Sequence, residues 1–260
     1  MIDYSGLDLV GVKRVFYFDS IESTNSFAKT CKDEDDLLII AEHQSTGRGR
    51  LNRTWKSEKG KNITISLIKS FDVQSPHLVN FYTSYIVQRS LKEYISNHIG
   101  CSTDVISLKW PNDVMLNDKK AGGILSELID INESPKKFII GIGINVNQES
   151  FQKEISHKAI SLKNYFNKEF DLNEIIRCLI NQFYSNLVLL ERSEVLMELW
   201  RLNCSMINRK VKFRQTDLNE EIEGKVIDVC DDGGIKIKTS ENINSKNIST
   251  YYTGEISFIY

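Results

Sequence analysis

Five residues of one short segment have side chains or backbones suited to binding an anion. Gly47, Arg48, Gly49, Arg50 and Arg53 lie within seven positions in the stretch AEHQSTGRGRLNRTW. Guanidinium groups bind carboxylates and phosphates through paired hydrogen bonds, and glycine lets the backbone approach a ligand closely. A solvated basic loop explains such a segment when it stands alone. The other motifs of the chain must decide between an anion-binding loop and a solvated basic loop.

A further candidate cation stands at the end of a predicted strand. Lys109 precedes Trp110-Pro111, and proline forces its predecessor into an extended conformation and ends the ladder of backbone hydrogen bonds. The sequence therefore predicts a lysine with a fixed position. Such a lysine is suited to bridge a carboxylate and an α-phosphate, because a unit charge pair at 4 Å is worth about 4 kcal/mol at an effective dielectric near 20.

Four other side chains are candidates for recognising neutral ligand groups. Ser23 and Thr24 stand at a predicted helix start, where a helix cap is the ordinary role of either residue. Gln44 precedes the glycine loop, and its ordinary interpretation is a surface strand residue. Trp55 would either cover an adenine or anchor the loop, and the composition does not choose between these roles.

The segments around residues 112 and 143 add weaker signals. Asn112 suits either a turn or a nucleotide contact. Gly141 and Gly143 leave one face of a strand bare, which admits a flat ligand or a closely approaching backbone, and Asn145 follows on the same face. This G-x-G is not a dinucleotide fingerprint, because no third glycine opens a helix.

The composition excludes several classes of protein. No apolar run approaches the ~20 residues that span a bilayer, so no membrane partner is expected. The formal net charge of −2 gives no general attraction for nucleic acid. The five cysteines and four histidines show no metal-ligand spacing, so no protein metal site is predicted. The start of the chain lacks an export signal, which favours a cytoplasmic location.

The hydrophobic pattern predicts an α+β protein with a mixed, largely antiparallel sheet. Strands are predicted at RVFYFDS, DDLLIIAEHQ and NITISLIKS, with a short helix after the first and the glycine loop between the last two. A long helix is predicted over residues 75–99, ended by Gly100. The segments DVISLKW, DVMLN with KAGGILSELI, and KFIIGIGINV then predict an antiparallel meander with a turn at Asn117–Asp118.

The last third of the chain predicts a helix followed by a small barrel. The helix starts near Asp171, and one apolar face carries Ile175, Leu179, Phe183, Leu187 and Leu190. After about Asn203 the short β runs KVKFR, EIEGKVIDV, GIKIKT and GEISFIY suit a small barrel, in which DDGG is a turn and ENINSKNIST a polar loop. The predicted domains are residues 1–203 and 204–260.

These motifs, in this order, resemble the biotin–protein ligase family in its monofunctional form. The resemblance implies a catalytic domain like those of class II aminoacyl-tRNA synthetases and biotin ligases, followed by an SH3-like barrel. Leu51-Asn52 departs from the arginine-glycine often found at this point of the loop. The matching residues are Ser23-Thr24-Asn25, Gln44, Gly47 to Arg50, Arg53, Trp55, Lys109 to Asp113, Gly123-Ile124-Leu125 with Glu127, and Gly141 to Asn145.

The resemblance also implies a reaction and its residues. ATP and biotin would give biotinyl-5′-AMP and pyrophosphate with Mg²⁺, and a lysine of a biotin carboxyl carrier domain would then accept the biotin. Lys109 and Arg50 would be the catalytic residues. The implied biotin-binding residues are Ser23, Thr24, Gln44, Gly47, Arg48, Arg50, Lys109, Gly141 and Gly143. The implied ATP-binding residues are Asn25, Arg53, Trp55, Asn112 and Asn145.

The resemblance leaves the partners partly open. The chain begins too close to the first motif for the helix-turn-helix of bifunctional members, so DNA is not an expected partner. Monomer and homodimer both stay open. A lipoate–protein ligase is one alternative, against which GRGR-x-x-R-x-W and the terminal barrel stand. A non-catalytic biotin sensor is the other, and it would lack the cation at Lys109 or add a DNA-binding domain.

Overall fold

The computed structural model of the protein describes residues 9–129, 134–215, 221–239 and 247–259. Its larger sheet has seven strands in the order β1-β2-β3-β7-β6-β5-β4, and every neighbouring pair is antiparallel except β1 and β2. The α+β class and the largely antiparallel sheet are thereby confirmed. The strands are β1 Arg14–Phe18, β2 Leu37–Ala41, β3 Ile63–Phe71, β4 Ile106–Lys109, β5 Asp113–Leu116, β6 Lys119–Leu128 and β7 Lys136–Ile144.

The predicted meander is formed by β4 to β7, each paired with the next. Asn117 and Asp118 both have left-handed backbones, with φ of 49° and 62°, as a tight hairpin turn requires. The register then aligns neighbours across the sheet: Lys109 faces Asp113, Asp113 faces Gly123, and Gly123 faces Gly143. Cross-strand neighbours project to the same face of a sheet, so this row brings residues of four strands together.

The described residues contain six helices, of which the first two pack against this sheet and the last three pack against the second helix. The long predicted helix is observed as α2, which begins two residues later than expected and ends at Gly100 in a left-handed conformation, φ 69°. It packs against β4, β5 and β6. The helices are α1 Thr24–Ala28, α2 His77–Ile99, α3 Leu162–Phe166, α4 Leu172–Ser185, α5 Val188–Glu191 and α6 Ser193–Leu202.

The helix predicted from Asp171 is shorter than expected. Asp171 caps α4 by accepting hydrogen bonds from the backbone of Asn173 and Glu174. The helix ends at Ser185, so the prediction that Leu187 and Leu190 continue its face was wrong, and Leu190 belongs to α5. The side chain of Asn186 donates to the carbonyl oxygen of Gln182 at 2.7 Å, a local bond that competes with continued helix.

A second sheet of five antiparallel strands follows, in the order β11-β10-β9-β8-β12, and is compatible with the expected SH3-like barrel. The stretch predicted as a polar loop is in part a strand, because Ile248–Tyr251 pairs with β10; residues 241–246 of that stretch lie outside the described residues. The strands are β8 Lys210–Arg214, β9 Glu221–Val229, β10 Ile235–Thr239, β11 Ile248–Tyr251 and β12 Glu255–Phe258.

The second sheet is attached beside β4. The backbone of Leu108 donates to Asn203 and accepts from Ser205, at 2.8 and 2.9 Å. Trp110 is 1% exposed, and its indole N–H donates to the carbonyl oxygen of Gly233 at 2.9 Å. One hydrophobic cluster contains residues of both sheets, so the boundary between residues 203 and 204 stays a prediction.

Two expectations about location come from the sequence, and only one of them concerns residues that the structure describes. In the described residues, no helix combines the length and apolar character that crossing a bilayer requires. The first eight residues, which carry most of the expectation of a cytoplasmic location, lie outside the described residues.

We expect Trp110→Phe to lower the free energy of unfolding by about 2 kcal/mol, because the buried Gly233 carbonyl loses its donor and the core loses volume. Urea denaturation measures this loss. Trp200→Phe is the matched control, since Trp200 is equally buried and its indole donates to Ser84 on α2. Faster hydrogen exchange in β9 and β10 should appear only in the Trp110 variant. If the Trp110 variant had the same stability and the same hydrogen exchange as the wild type, Trp110 would not be what attaches the second sheet to the first.

Candidate active site

Two adjoining cavities lie where the glycine loop meets the larger sheet. The first, here called the small pocket, has a volume of about 50 Å³ and is lined by residues of α1, β6, β7 and the loop. The second, called the cationic cavity, has a volume of about 460 Å³ and lies between the two sheets. Gly49, Trp55 and Lys120 line both spaces. A ligand that occupies both spaces therefore passes these three residues.

The small pocket brings together the polar residues expected to recognise a neutral ring. Ser23 caps α1 by accepting from the backbone of Ser26, so its ordinary role is also correct. The backbone and hydroxyl of Thr24 both donate to the Gln44 side-chain oxygen, at 2.8 and 3.1 Å. Ser23, Thr24 and Gln44 are all buried. Their fixed hydrogen bonds hold them in one orientation toward the pocket.

Asn25 lies in the small pocket, whereas the sequence placed it with the nucleotide group. Its side chain donates to Glu127 at 2.9 Å and accepts from Ser66 at 2.6 Å. A Cβ atom on Gly141 would lie 2.3 Å from the Asn25 side-chain oxygen. The bare face at Gly141 therefore accommodates Asn25, and the expected grouping of Asn25 with Arg53 and Asn112 does not match its position.

Glu127 ties three segments together at the rim of the small pocket. It forms ion pairs with Arg48 of the loop at 3.1 Å and with Lys29 at 2.8 Å, besides its bond to Asn25. Burial acts to raise the pKa of Glu127, but the hydrogen bonds from Lys29 and Asn25 and the charge of Arg48 outweigh it and lower that pKa. Arg48 is thus held on the small-pocket side, where it was expected.

The glycine loop is folded as a narrow hairpin. Trp55 donates to the Gly47 carbonyl at 2.8 Å and Gly49 donates to the Arg53 carbonyl at 2.7 Å. A Cβ atom on Gly47 would lie 2.4 Å from the Trp55 carbonyl oxygen, so only glycine fits there. At the tip, residues 51 and 52 both have left-handed backbones, φ 54° and 58°. That conformation costs roughly 1 kcal/mol for a residue with a side chain.

Trp55 stands between the two cavities rather than only on the nucleotide side. A Cβ atom on Gly143 would lie 2.5 Å from a carbon of the indole, so the bare face of this glycine is covered by the ring. The Trp55 indole nitrogen is buried without a hydrogen-bond partner in the described part of the chain. Trp55 both anchors the loop and forms the wall shared by the two spaces.

The cationic cavity unites Lys109 and Arg50, as the sequence predicted, and Arg53 and Asn112 also line it. Arg50 donates to the Asn112 side-chain oxygen at 3.1 Å, and Asn112 in turn donates to the Ile124 carbonyl. Arg53 forms an ion pair with Glu255 of the second sheet. Neither Lys109 nor Arg50 has an acidic partner within ion-pair distance among the described residues, so both are free to bind an anion.

Lys120 is a functional candidate that the sequence reasoning missed. Its amine lies 2.6 Å from Asp113 and 5.9 Å from the centre of the Trp55 ring. It lines the small pocket and the cationic cavity alike. The segment KKAGG was interpreted only as the start of a strand. The pairing of β5 with β6 carries the signal, because it places Lys120 opposite Met115, from where its side chain reaches Asp113 two residues along β5.

The cationic cavity carries an excess of positive charge. Burial lowers the pKa of Lys109 and of Arg50; Asp113 acts in the opposite direction, and neighbouring cations add to the lowering. Fixed, partly buried cations without acidic partners are suited to bind phosphate and carboxylate oxygens. The basic residues lining the cavity are Arg50, Arg53, Lys109, Lys120, Lys158, Lys212 and Arg214, and the acidic ones are Asp113, Glu221 and Glu255.

Asn145 does not line either cavity, although the sequence placed it with the nucleotide group. Its side chain donates to the backbone carbonyls of Lys120 and Ile160 at 3.4 and 3.3 Å. It therefore supports the strand that carries Lys120. In the part of the chain that the structure describes, no group of three or more histidine, cysteine or acidic residues is placed to hold a metal ion.

Known proteins share this combination of sequence and fold. Residues 17–145 match the model of the Biotin/lipoate A/B protein ligase family. The bifunctional ligase/repressor BirA of Bacillus spizizenii is 31% identical over 243 residues, which cover 89% of this chain and 71% of that protein. The chain belongs to the biotin protein ligase family.

Two further proteins extend this relationship. The biotin–[acetyl-CoA-carboxylase] ligase of Mycobacterium tuberculosis is 29% identical over 157 residues, 60% of this chain and 56% of that protein. The biotin protein ligase of Aquifex aeolicus, solved in complex with biotin and ATP, superposes with a TM-score of 0.78 at 26% identity, covering 94% of this chain and 98% of that chain. The likeness to the Aquifex biotin protein ligase thus includes the second sheet.

We expect Lys109→Met to raise the free energy of unfolding at neutral pH by about 1 kcal/mol, because it removes a partly buried cation that has other cations nearby. A lysine with a lowered pKa destabilises the fold while it is protonated, so the gain should shrink as the pH rises toward the ordinary lysine pKa of 10.5. Denaturant unfolding at several pH values measures it. Lys238→Met, at an exposed position, is the control. A destabilised Lys109 variant would contradict this view of the cavity.

Proposed function

We propose that this biotin protein ligase joins biotin to ATP as biotinyl-5′-AMP and releases pyrophosphate. It then transfers the biotinyl group to the side-chain amine of a lysine of a biotin carboxyl carrier domain, and AMP leaves. It acts as a biotin–[acetyl-CoA-carboxylase] ligase. The observation that carries the proposal is the convergence of Lys109, Arg50 and Lys120 on one cavity that adjoins a small polar pocket. The names of the related proteins support the same activity.

The small pocket suits the ring system of biotin. Its polar side holds Ser23, Thr24 and Gln44, whose hydroxyl and amide groups match a neutral ring that both donates and accepts hydrogen bonds. Its remaining wall is apolar, from Ile65 and Ile142 among others. A volume of about 50 Å³ is far below the roughly 300 Å³ of ordinary ligand sites, so the Trp55 indole must move off Gly143 for the ring to enter.

The cationic cavity suits the triphosphate and the carboxylate that must react. The carboxylate oxygen attacks the α-phosphorus. The bond between that phosphorus and the oxygen that bridges to the β-phosphate breaks, and pyrophosphate leaves. Lys109 and Arg50, which have no acidic partners among the described residues, reduce the repulsion between the two anions and stabilise the charge that develops. Lys120 lies where the pockets meet, so it reaches both the carboxylate and the phosphate.

In this proposal Mg²⁺ would enter the site bound to the phosphates of ATP. Mg²⁺ keeps several waters and is commonly held by one or two carboxylates and by phosphates. Asp113 is the carboxylate that lines the cavity nearest to this chemistry, and it already pairs with Lys120. The ion would neutralise phosphate charge, while the protein contributes the cations described above.

We expect Lys109→Ala to reduce the rate of adenylate formation by about 100-fold or more while biotin binding stays detectable, because the lysine lines the cationic cavity and not the small pocket. Single-turnover formation of biotinyl-5′-AMP measures the rate, and calorimetry measures binding. Lys238→Ala, an exposed strand lysine, is the control. Wild-type single-turnover rates in the Lys109 variant would refute its catalytic role.

Exchange of labelled pyrophosphate into ATP tests the substrate. We expect exchange that depends on biotin and not on lipoate, because the small pocket presents polar groups to a ring rather than an open apolar channel. Exchange with lipoate alone would assign the protein to the lipoate–protein ligases. Biotin binding without any exchange would favour a non-catalytic sensor instead.

A further inference from the structure

A third cavity adjoins the cationic cavity on its other side. This side cavity has a volume of about 320 Å³ and is formed by the start of α2, by β6 and by turns of the second sheet. Arg50 and Pro111 line both the side cavity and the cationic cavity. The side cavity is thus a second approach to the place where Arg50 is expected to meet the reacting carboxyl group.

The two cavities differ in charge. The cationic cavity is lined by seven basic and three acidic side chains. The side cavity is lined by one arginine, Arg50, and by one carboxylate, Asp232. An approaching ammonium group meets repulsion of about 4 kcal/mol from each unit charge at 4 Å when the effective dielectric is near 20. A positively charged partner therefore meets less repulsion in the side cavity than in the cationic cavity.

Asp232 is well placed to stay ionised. Tyr252 donates to one of its oxygens at 2.7 Å and the backbone of Gly234 donates to the other at 3.1 Å. The hydrogen bonds from Tyr252 and Gly234 lower the pKa of Asp232 and outweigh the opposing effect of burial. Tyr252 is 58% exposed, so the carboxylate stands near the mouth of the cavity.

Two further polar atoms of the side cavity lack partners. The Nε2 atom of His77 and the hydroxyl of Ser126 are buried without a hydrogen bond in the described part of the chain. Buried polar atoms are costly unless they are satisfied, so unpartnered ones in a cavity mark a place for a ligand with hydrogen-bonding groups. An ammonium offers three donors; a hydroxyl and a carboxylate are acceptors, and so is Nε2 of a neutral histidine whose proton is on Nδ1.

We propose that the side cavity admits the lysine side chain of the acceptor protein, with Asp232 attracting its ammonium group and His77 and Ser126 accepting its hydrogen bonds. This inference rests on the proposed function, whose second step needs such a lysine. The main chain of the acceptor would then lie across the junction of the two sheets, beside Tyr252. The route keeps the incoming cation away from the cations that bind the phosphates.

The test separates the two steps of the reaction in the full-length protein. We expect Asp232→Asn to leave biotin-dependent pyrophosphate exchange within twofold of wild type, and to lower kcat/KM for a purified biotin carboxyl carrier domain by about 10-fold. Asp232→Lys should lower it further, because it adds repulsion. Asp231→Asn is the matched control, since Asp231 is the adjacent acidic residue, pairs with Arg201 and does not line the side cavity.

Each outcome has a distinct meaning. Wild-type transfer in both Asp232 variants, with normal exchange, would overturn the route while leaving the ligase activity intact. Loss of exchange together with transfer would also overturn it, because Asp232 would then act on the first step or on folding. An absence of biotin-dependent exchange in the wild-type protein would instead remove the proposed function itself.

Discussion

Seven basic side chains repel one another around the cationic cavity, and two sheets are needed to hold them there. Some are neutralised locally, as in the pairs of Lys120 with Asp113 and of Arg53 with Glu255. Lys109 and Arg50 have no such partner in the described chain, and burial makes their charged forms less favourable. The rigid surroundings sustain this arrangement: Lys109 ends a paired strand, and the adjacent Trp110 is fixed to the second sheet. Keeping these two cations without acidic partners lowers the stability of the fold and leaves them available to an anion.

The register of the larger sheet decides which groups meet. Lys109, Asp113, Gly123 and Gly143 are successive neighbours across four strands, so the cation and the glycine positions belong to one row. A shift of one residue in any of these pairings would move side chains to the opposite face. The left-handed turn at residues 117 and 118 fixes the pairing of Leu116 with Lys119, and a register shift between Val114 and Met115 then brings Asp113 opposite Gly123. A local turn thus has a direct effect on the geometry of the site.

Local signals explain what the sequence could predict. The strands, the long helix and the glycine loop between β2 and β3 follow from periodicity and turn signals, whereas the joint position of Lys109 and Arg50 follows from the resemblance to a known family. The position of a residue within a motif did not reveal which way its side chain points. Asn25 donates to Glu127, and Asn145 donates to the backbone carbonyl of Lys120. The contributions of Lys158 and Lys212 depend on long-range packing, because each comes from a segment without a motif of its own.

The contact between Gly143 and Trp55 links two positions of the chain that are far apart in sequence. The indole occupies the volume into which any side chain at position 143 would extend. A methyl group there could be accommodated only with a smaller or displaced residue at position 55, which would also remove the wall between the two cavities. Natural variation at these two sites should therefore be correlated, with a larger residue at 143 appearing where the tryptophan has been replaced or is displaced.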